Sequence, residues 1–261
     1  MDIRFFNLAA ALVMVSFVSS AEETPSVLAS GHPADHGDGG YIVSKGDSPF
    51  GISFATGWDS RYVSEGIDNL DGGGIWTVEG LLEYDMEHFA LYVGGWYALG
   101  YDSDYDEVNI LTGVVASVAN FNFEFGYTYL NSPELGHNEI GGLIEYTGLG
   151  NVILGADWYY SFEADGSFIN LFAAREFELT DRLTLEAESH LGINADYLAE
   201  GHDGFNHLFA GLRAMYGLTE HMTLRGHLGY NFAINSDPAS APDDELLHDF
   251  FHGGVSIGVS F

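Results

Sequence analysis

The sequence predicts an all-β protein that forms a single antiparallel, up-and-down transmembrane β-barrel of about 12 strands, with both termini in the periplasm. Three observations predict this fold class. Apolar and polar residues alternate over most of the chain from Phe50 onward, and the connections between the alternating segments are short and long in turn. The chain also ends on an alternating segment that closes with Phe261.

The alternation is clearest in residues 121–129, where every odd position is aromatic and every even position is polar or glycine. Residues 183–193 and 222–232 repeat the pattern, with charged residues such as Glu186 and Arg225 on the polar side. Segments of about 9–11 residues are long enough for a tilted strand to cross a bilayer. The predicted strands cover residues 51–66, 74–85, 88–101, 107–119, 121–131, 138–147, 151–163, 167–178, 182–193, 205–217, 221–233 and 249–261.

The connections alternate in length, which is typical of outer-membrane barrels with short periplasmic turns and longer external loops. Two connections after odd-numbered strands, residues 194–204 and 233–248, are long and acidic. The short connections follow even-numbered strands and comprise residues 85–87, 148–150, 179–182 and 218–220.

A soluble β-sandwich would also alternate, and it is the main structural alternative. The apolar faces carry too many large aromatic side chains for one interior, whereas lipid solvates the outside of a membrane barrel and closure leaves no unpaired strand edge. Aromatic residues on the apolar side, several near strand ends, are expected to form the interfacial girdles of such a barrel. They are Trp58, Tyr62, Trp76, Tyr84, Tyr97, Tyr101, Trp158 and Tyr160.

The N-terminus has the features of a signal peptide. Arg4 precedes an apolar stretch at residues 5–18, and small residues at 19–21 suit cleavage after Ala21. The stretch is too short for a membrane-spanning helix, which needs about 20 apolar residues. The predicted organisation is therefore a signal peptide at residues 1–21, a flexible periplasmic tail at 22–48 and an outer-membrane barrel at 49–261.

Composition excludes several functions. Without cysteine the chain has neither disulfides nor thiolate metal sites, and a net charge of −32 argues against nucleic-acid binding, which depends on cationic contacts to phosphate. We identify no cofactor site and expect no enzyme activity. His190 adjoins Ser189, but adjacent strand residues point to opposite faces, and His252 and Ser256 lie about 13 Å apart along a strand. A catalytic triad assembled from residues on different strands remains an alternative, since the sequence does not fix the strand registers.

Two segments resemble known sequence signals. Residues 251–261 alternate and end in Phe261, and they resemble the C-terminal strand signal that the outer-membrane assembly machinery reads. Residues 60–67, Ser-Arg-Tyr-Val-Ser-Glu-Gly-Ile, resemble the strand-one motif Tyr-Val-x-Arg-Gly-Ile of the Gcw_chp family of uncharacterised proteobacterial outer-membrane proteins, with Glu65 in place of the arginine. This resemblance implies an exported outer-membrane barrel and no known activity.

Charged residues on the polar face are predicted to line the lumen, and carboxylates outnumber arginines among them. This charge predicts a narrow porin-like channel for small cationic or neutral solutes. The alternative is a closed lumen that Arg–Glu pairs fill. Strand number does not decide between the two, because barrels of roughly eight strands are filled by side chains, barrels of roughly 16 leave a channel, and 12 lies between them. The predicted lumen residues are Asp59, Arg61, Glu65, Glu79, Glu83, Glu124, Glu145, Asp157, Glu176, Glu178, Glu186, Glu188, His190, Arg213, Arg225 and His227.

The second candidate function is a non-conducting structural or adhesive barrel with acidic external loops. One predicted external loop, residues 102–107, carries four carboxylates, either as a solvated loop or as ligands for divalent cations. The predicted partners are outer-membrane lipid, the outer-membrane assembly machinery and divalent cations at the external loops.

Overall fold

The structure is a computed structural model, and it describes residues 28–29, 41–42, 48–101, 103–132, 136–198 and 200–261. The predicted signal peptide lies outside the described residues. So does the predicted tail, apart from residue 48 and a two-residue antiparallel pairing of Leu28–Ala29 with Tyr41–Ile42. In the described part of the chain, no helix is long and apolar enough to cross a membrane.

Twelve antiparallel strands form a closed barrel in which each strand pairs with its neighbours along the chain and the last strand pairs with the first. This arrangement confirms the predicted all-β, up-and-down barrel. The strands are β1 (Phe50–Asp59), β2 (Ile75–Asp85), β3 (Ala90–Gly100), β4 (Asp106–Val118), β5 (Phe121–Asn131), β6 (Gly136–Tyr146), β7 (Val152–Ser161), β8 (Gly166–Thr180), β9 (Leu183–Ala195), β10 (Gly204–Gly217), β11 (Met222–Ala233) and β12 (Phe250–Ser260).

The two ends of the barrel differ. At the short-turn end, where β1 begins and β12 ends, tight connections such as residues 119–120 and 181–182 join the strands. At the opposite, long-loop end lie the extended connections, including residues 60–74 and 234–249. The predicted first strand is wrong at this end, because β1 stops at Asp59 and does not continue to residue 66.

The outer face is apolar and exposed, as a lipid-facing surface requires. In β1, for example, Phe50 and Phe54 point outward and are 55% and 53% exposed, while Ser53 and Ala55, on either side of Phe54, are buried inside. Among the aromatic residues assigned to the girdles, Tyr62 is wrong, since it is only 5% exposed and lies inside the barrel. It was misplaced because residues 60–67 do not belong to a strand of the barrel.

The inner face carries aromatic rings that lie over glycines of neighbouring strands. A Cβ atom at Gly113 would fall 2.5 Å from the Tyr92 hydroxyl, and one at Gly126 would fall 2.6 Å from it. Phe209 of β10 similarly lies against Gly229 of β11. The missing side chains let these rings lie flat along the wall.

The seam between β12 and β1 runs from the pair Gly254–Asp59 to the pair Ser260–Ser53. Beyond it, Phe261 and Ile52 exchange two backbone hydrogen bonds, with N···O distances of 2.9 and 3.1 Å. The C-terminal residue therefore completes the ladder that closes the barrel.

Candidate functional site

The connection between β1 and β2 enters the lumen as a small hairpin. Two-residue strands, Val63–Ser64 and Ile67–Asp68, pair antiparallel and are joined by Glu65 and Gly66. Both turn residues have positive φ, 49° and 74°, the combination that a type I′ hairpin turn requires. We call residues 60–74 the plug hairpin.

The base of the plug hairpin is fixed to the barrel wall. Tyr62 is buried in an apolar cluster with Ile75, Trp96 and Ala98. Arg61 forms an ion pair with the fully buried Asp68. A buried carboxylate is stable only when paired in this way, so the ion pair helps to hold the two arms together.

The tip of the plug hairpin reaches the opposite wall. The Tyr159 hydroxyl donates a hydrogen bond to Glu65 Oε1 at 3.0 Å, and Asn231 Nδ2 donates one to the Gly66 carbonyl at 2.8 Å. Gly66 also lies against the His207 ring, which leaves no room for a Cβ atom. Since β7, which carries Tyr159, stands half-way around the barrel from β1, the hairpin spans the lumen.

A second segment enters the lumen from the β9–β10 loop (residues 196–198 and 200–203). The Tyr197 hydroxyl donates to Glu139 Oε1 at 2.5 Å, and its ring packs edge-on against Tyr159, with centroids 5.1 Å apart. On the β4 side, the Tyr62 and Tyr105 hydroxyls donate to Glu107, the former at 2.5 Å. We call these groups the tyrosine–glutamate cluster, which comprises Tyr62, Tyr105, Tyr159, Tyr197, Glu65, Glu107 and Glu139.

The cluster is buried, and its surroundings keep the Tyr62 and Tyr197 hydroxyls neutral. Its carboxylates are 6%, 2% and 2% exposed at Glu65, Glu107 and Glu139. Burial, together with the neighbouring carboxylates, raises the pKa of the Tyr62 and Tyr197 hydroxyls. Both hydroxyls therefore remain proton donors to the carboxylates at all physiological pH values.

The predicted acidic loop at residues 102–107 is partly wrong. Glu107 belongs to β4, points inward and is 2% exposed, so it is no ligand for an external cation. Asp102 lies outside the described residues. The local sequence gave no reason to separate Glu107 from the loop carboxylates, because the strand begins at Asp106 without a turn signal.

One buried carboxylate joins two loops at the long-loop end. Asp244 lies in a 3₁₀ helix, Pro242–Glu245, within the β11–β12 loop (residues 234–249) and is 2% exposed. It accepts hydrogen bonds from the His202 backbone at 3.1 Å, the His202 Nδ1 at 2.8 Å and the Asp237 backbone at 2.7 Å. We call the His202–Asp244 contact the clasp.

The clasp favours a charged pair. His202 Nε2 faces the Phe205 carbonyl at 2.9 Å, so both ring nitrogens have acceptors and only the imidazolium can donate to both. Burial acts to lower the pKa of His202, but the hydrogen bonds to Phe205 and Asp244 outweigh it and raise that pKa. Burial likewise acts to raise the pKa of Asp244, and the hydrogen bonds that it accepts outweigh this and lower that pKa.

The clasp should be tightest in mildly acid solution. Its histidine contribution is complete below the ordinary His pKa, about 6.5, and is lost as pH rises through the raised value. Its aspartate contribution is complete above about 4 and is lost as pH falls through the lowered value. Once corrected for intrinsic rates, amide hydrogen exchange in the two loops should be faster at about pH 8.5 than at about pH 6.

The control for this pH dependence is a histidine at the other end of the barrel. His202→Gln should make exchange in the two loops insensitive to pH, whereas His221→Gln at the short-turn end should leave the dependence intact. Equal pH dependence in wild type and His202→Gln would mean that a group other than His202 governs the loops.

Further from the plug hairpin, the inner wall carries ion pairs. Arg213 donates to Glu186 Oε1 at 2.8 Å and to Glu188 Oε1 at 3.2 Å, and all three side chains are largely buried. His190 approaches Glu188 at 3.2 Å. These contacts put β9 and β10 in a common network of alternating charge.

The predicted lumen residues lie mostly where the alternation placed them. Arg61 and Glu65 lie in the plug hairpin and not in a barrel strand. Their positions relative to the wall could therefore not be predicted from the alternation of apolar and polar residues. At inner-face positions of the strands are Asp59, Glu79, Glu83, Glu124, Glu145, Asp157, Glu176, Glu178, Glu186, Glu188, His190, Arg213, Arg225 and His227. Whether they line a conducting path stays a prediction.

Sequence reasoning missed several residues that build this site. Glu139 has the same parity as Glu145 on β6, so the alternation alone could have found it. Tyr159 and Asn231 gave no comparable signal, because their importance comes from meeting a hairpin that begins about a hundred or more residues earlier in the chain.

No catalytic arrangement emerges from the predicted candidates. Residues 254–258 match the pattern Gly-x-Ser-x-Gly, but they lie within β12 and not on the strand-to-helix turn that exposes such a serine. His190 contacts Glu188, and not the adjacent Ser189. Within the described ranges, no group of three or more His, Asp or Glu side chains is placed to hold a metal ion.

Solved structures with a similar architecture include a porin and an outer-membrane channel. The KdgM porin matches 81% of this chain and 99% of its own, with a TM-score of 0.51 and 9% identity, and the same values hold for "KdgM porin in complex with disordered oligogalacturonate". An outer-membrane channel from Pseudomonas putida F1 matches 87% of this chain and 100% of its own, with a TM-score of 0.53 and 11% identity. No protein-family model and no curated protein sequence matches the chain. The fold is therefore that of an outer-membrane porin or channel.

Proposed function

We propose that the chain is exported through a cleavable signal peptide, inserts into the outer membrane and acts as a narrow porin-like channel for small cationic or neutral solutes. The shared fold with the KdgM porin and the Pseudomonas putida channel supports the location and the channel architecture. The proposed partners are lipid around the exposed outer face, the assembly machinery at the last strand and divalent cations at the external loops. We also propose that the chain is a member of the Gcw_chp family, on the basis of residues 60–67.

The proposed preference for cationic or neutral solutes follows from the charge of the inner face. Carboxylates such as Glu79, Glu83 and Glu124 point inward, and Arg213, one of the few inner-face cations, already pairs with two other carboxylates. A confined wall with an excess of carboxylates raises the local concentration of cations and repels anions. The barrel is thus suited to cationic or neutral solutes and unsuited to anionic ones.

Planar-bilayer recording in a potassium chloride gradient tests this function. We expect discrete openings whose reversal potential lies toward that of potassium, because the inner wall favours cations. Glu124→Gln removes one inner carboxylate and should shift the reversal potential toward zero. Glu163→Gln, which removes an exposed carboxylate outside the lumen, is the matched control and should leave it unchanged. Openings selective for chloride would contradict the proposal.

The plug hairpin favours the second candidate, a non-conducting structural or adhesive barrel. It crosses the lumen at the long-loop end, where Asp68, His207 and Phe168 are all 0% exposed. Refolded protein that stays silent in the bilayer, even after the hairpin is removed, would support this candidate and overturn the channel.

A further inference from the structure

We propose that the plug hairpin is the gate of the lumen. In the present structure it closes the long-loop end, and it leaves the lumen when solute passes. The inference rests on the proposed channel function and names the element that regulates it.

The first support is the span of the hairpin. Its tip contacts Tyr159 on β7, His207 on β10 and Asn231 on β11, while its two ends leave β1 and β2. The hairpin and the tyrosine–glutamate cluster beside it therefore fill one cross-section of the barrel. Solute that crosses this level must displace part of that filling. Tyr105 and Tyr197 also lie outside the barrel strands, but the hairpin is the part that spans the lumen.

The second support is that much of the closed layer is polar, although Val63 and Ile67 of the hairpin are also buried. Asn109, Asn170 and Asn231 are 0%, 1% and 1% exposed, at the same end of the barrel as the buried carboxylates of the cluster. An apolar layer would lose hydrophobic burial when water enters, but polar groups exchange one set of hydrogen bonds for another. Opening this layer is therefore far less unfavourable than opening an apolar plug of the same size.

Two atoms of the layer would gain from water. Asn109 donates to Glu107 at 2.7 Å and Asn170 donates to Asp157 at 3.0 Å, but the Oδ1 of each asparagine is buried and has no hydrogen-bond partner. A buried polar atom left unsatisfied destabilises the state in which it is buried. Hydration of these two oxygens favours the open state.

The third support is the way in which the hairpin returns to the wall. Gly72, Gly73 and Gly74 immediately precede β2, and Gly72 has a φ of +87°, which other residues adopt only with strain. Three successive glycines allow the return arm to change direction at little steric cost. At the tip, the hydrogen bonds from Tyr159 and Asn231 can be exchanged for water.

Shortening the hairpin tests the gate. The Asn69 backbone donates to the Tyr62 carbonyl at 2.8 Å, so residues 63–68 can be replaced by two glycines without stretching the chain. We expect this variant to show several-fold higher single-channel conductance than wild type, or lasting openings where wild type opens briefly or not at all. Heat-modifiable gel mobility reports whether the variant folds.

A reversible tether supplies the second test. The ideal Cβ of Gly66 lies 2.7 Å from the His207 Cβ, somewhat nearer than the roughly 3.8 Å of a disulfide, so a small backbone shift brings Gly66→Cys and His207→Cys into bonding range. The chain has no other cysteine. The oxidised double variant should be silent, and a reductant should restore openings, while His207→Cys alone should ignore the reductant.

The outcomes separate the gate from the channel. A shortened variant that conducts like wild type, with an oxidised tether that conducts like the reduced form, overturns the gate and leaves the channel standing. Silence from wild type and from a folded shortened variant overturns both. Conductance from the shortened variant with a silent wild type supports the gate, since the lumen then opens only when the hairpin is gone.

Discussion

Deleting Phe261 should lower the yield of protein in the outer membrane several-fold and leave refolding in detergent nearly unchanged. The Phe261 side chain is 61% exposed on the outer face, where it stacks on His221 with ring centroids 5.6 Å apart. Its backbone adds two hydrogen bonds to Ile52, beyond a seam that already extends through Ser260. The deletion thus removes little from the closed barrel but removes the aromatic terminus that resembles the assembly signal.

Two substitutions separate signal from packing in this experiment. Phe261→Ala keeps the backbone hydrogen bonds and should still lower the yield in cells. Phe251→Ala removes an aromatic ring that is 66% exposed at the other end of the same strand, and it should not. Fractionated cells give the outer-membrane yield, and gel mobility before and after boiling gives the refolded fraction. Equal losses in both assays would show that Phe261 acts in packing alone.

Replacing Arg213 should produce the largest loss of stability among single substitutions in the inner wall. Arg213→Met leaves the buried carboxylates of Glu186 and Glu188 without their cation, and breaking a buried ion pair from one side costs about 3–5 kcal/mol. Urea unfolding of the refolded barrel, followed by gel mobility, measures the change.

The controls for this effect test its cause. Adding Glu186→Gln and Glu188→Gln to Arg213→Met should recover most of the stability, because no unpaired charge remains. Arg175→Met removes an exposed guanidinium that lies over the Phe177 ring, with its central carbon 5.0 Å from the ring centroid. This substitution should change stability little. If the triple variant is no more stable than Arg213→Met, the loss comes from packing of the long side chain and not from charge.

The strands could be predicted from sequence because their cause is local. Each barrel strand places lipid on one side and the lumen on the other, so alternation in a segment such as residues 121–129 reports the environment directly. The same logic placed Glu186 and Arg213 on one inward face, although it could not show that they touch. Their contact depends on the β9–β10 register.

The plug hairpin could not be predicted because its causes are distant. Tyr62 has the same parity as Phe54 and Trp58, so it extends the apolar pattern of β1 and residues 51–66 resemble one continuous strand. What bends the chain inward is the positive φ of Glu65 and Gly66 together with partners on β7 and β11. Asn-Gly or Asp-Gly would have signalled such a turn, and Glu-Gly is a much weaker signal.

The rings that lie over inner-face glycines allow the width of the lumen to differ between barrels that have the same number of strands. Because Tyr92 occupies the hollows at Gly113 and Gly126, its bulk belongs to the thickness of the wall and not to the central passage. A single methyl group at Gly126 would force the ring off the wall and toward the axis, whereas one at Gly113 would also fall 2.5 Å from the Phe125 carbonyl oxygen and disturb the backbone. Related barrels could therefore differ in bore at a constant number of strands, through exchanges between glycine and alanine that change no charged residue.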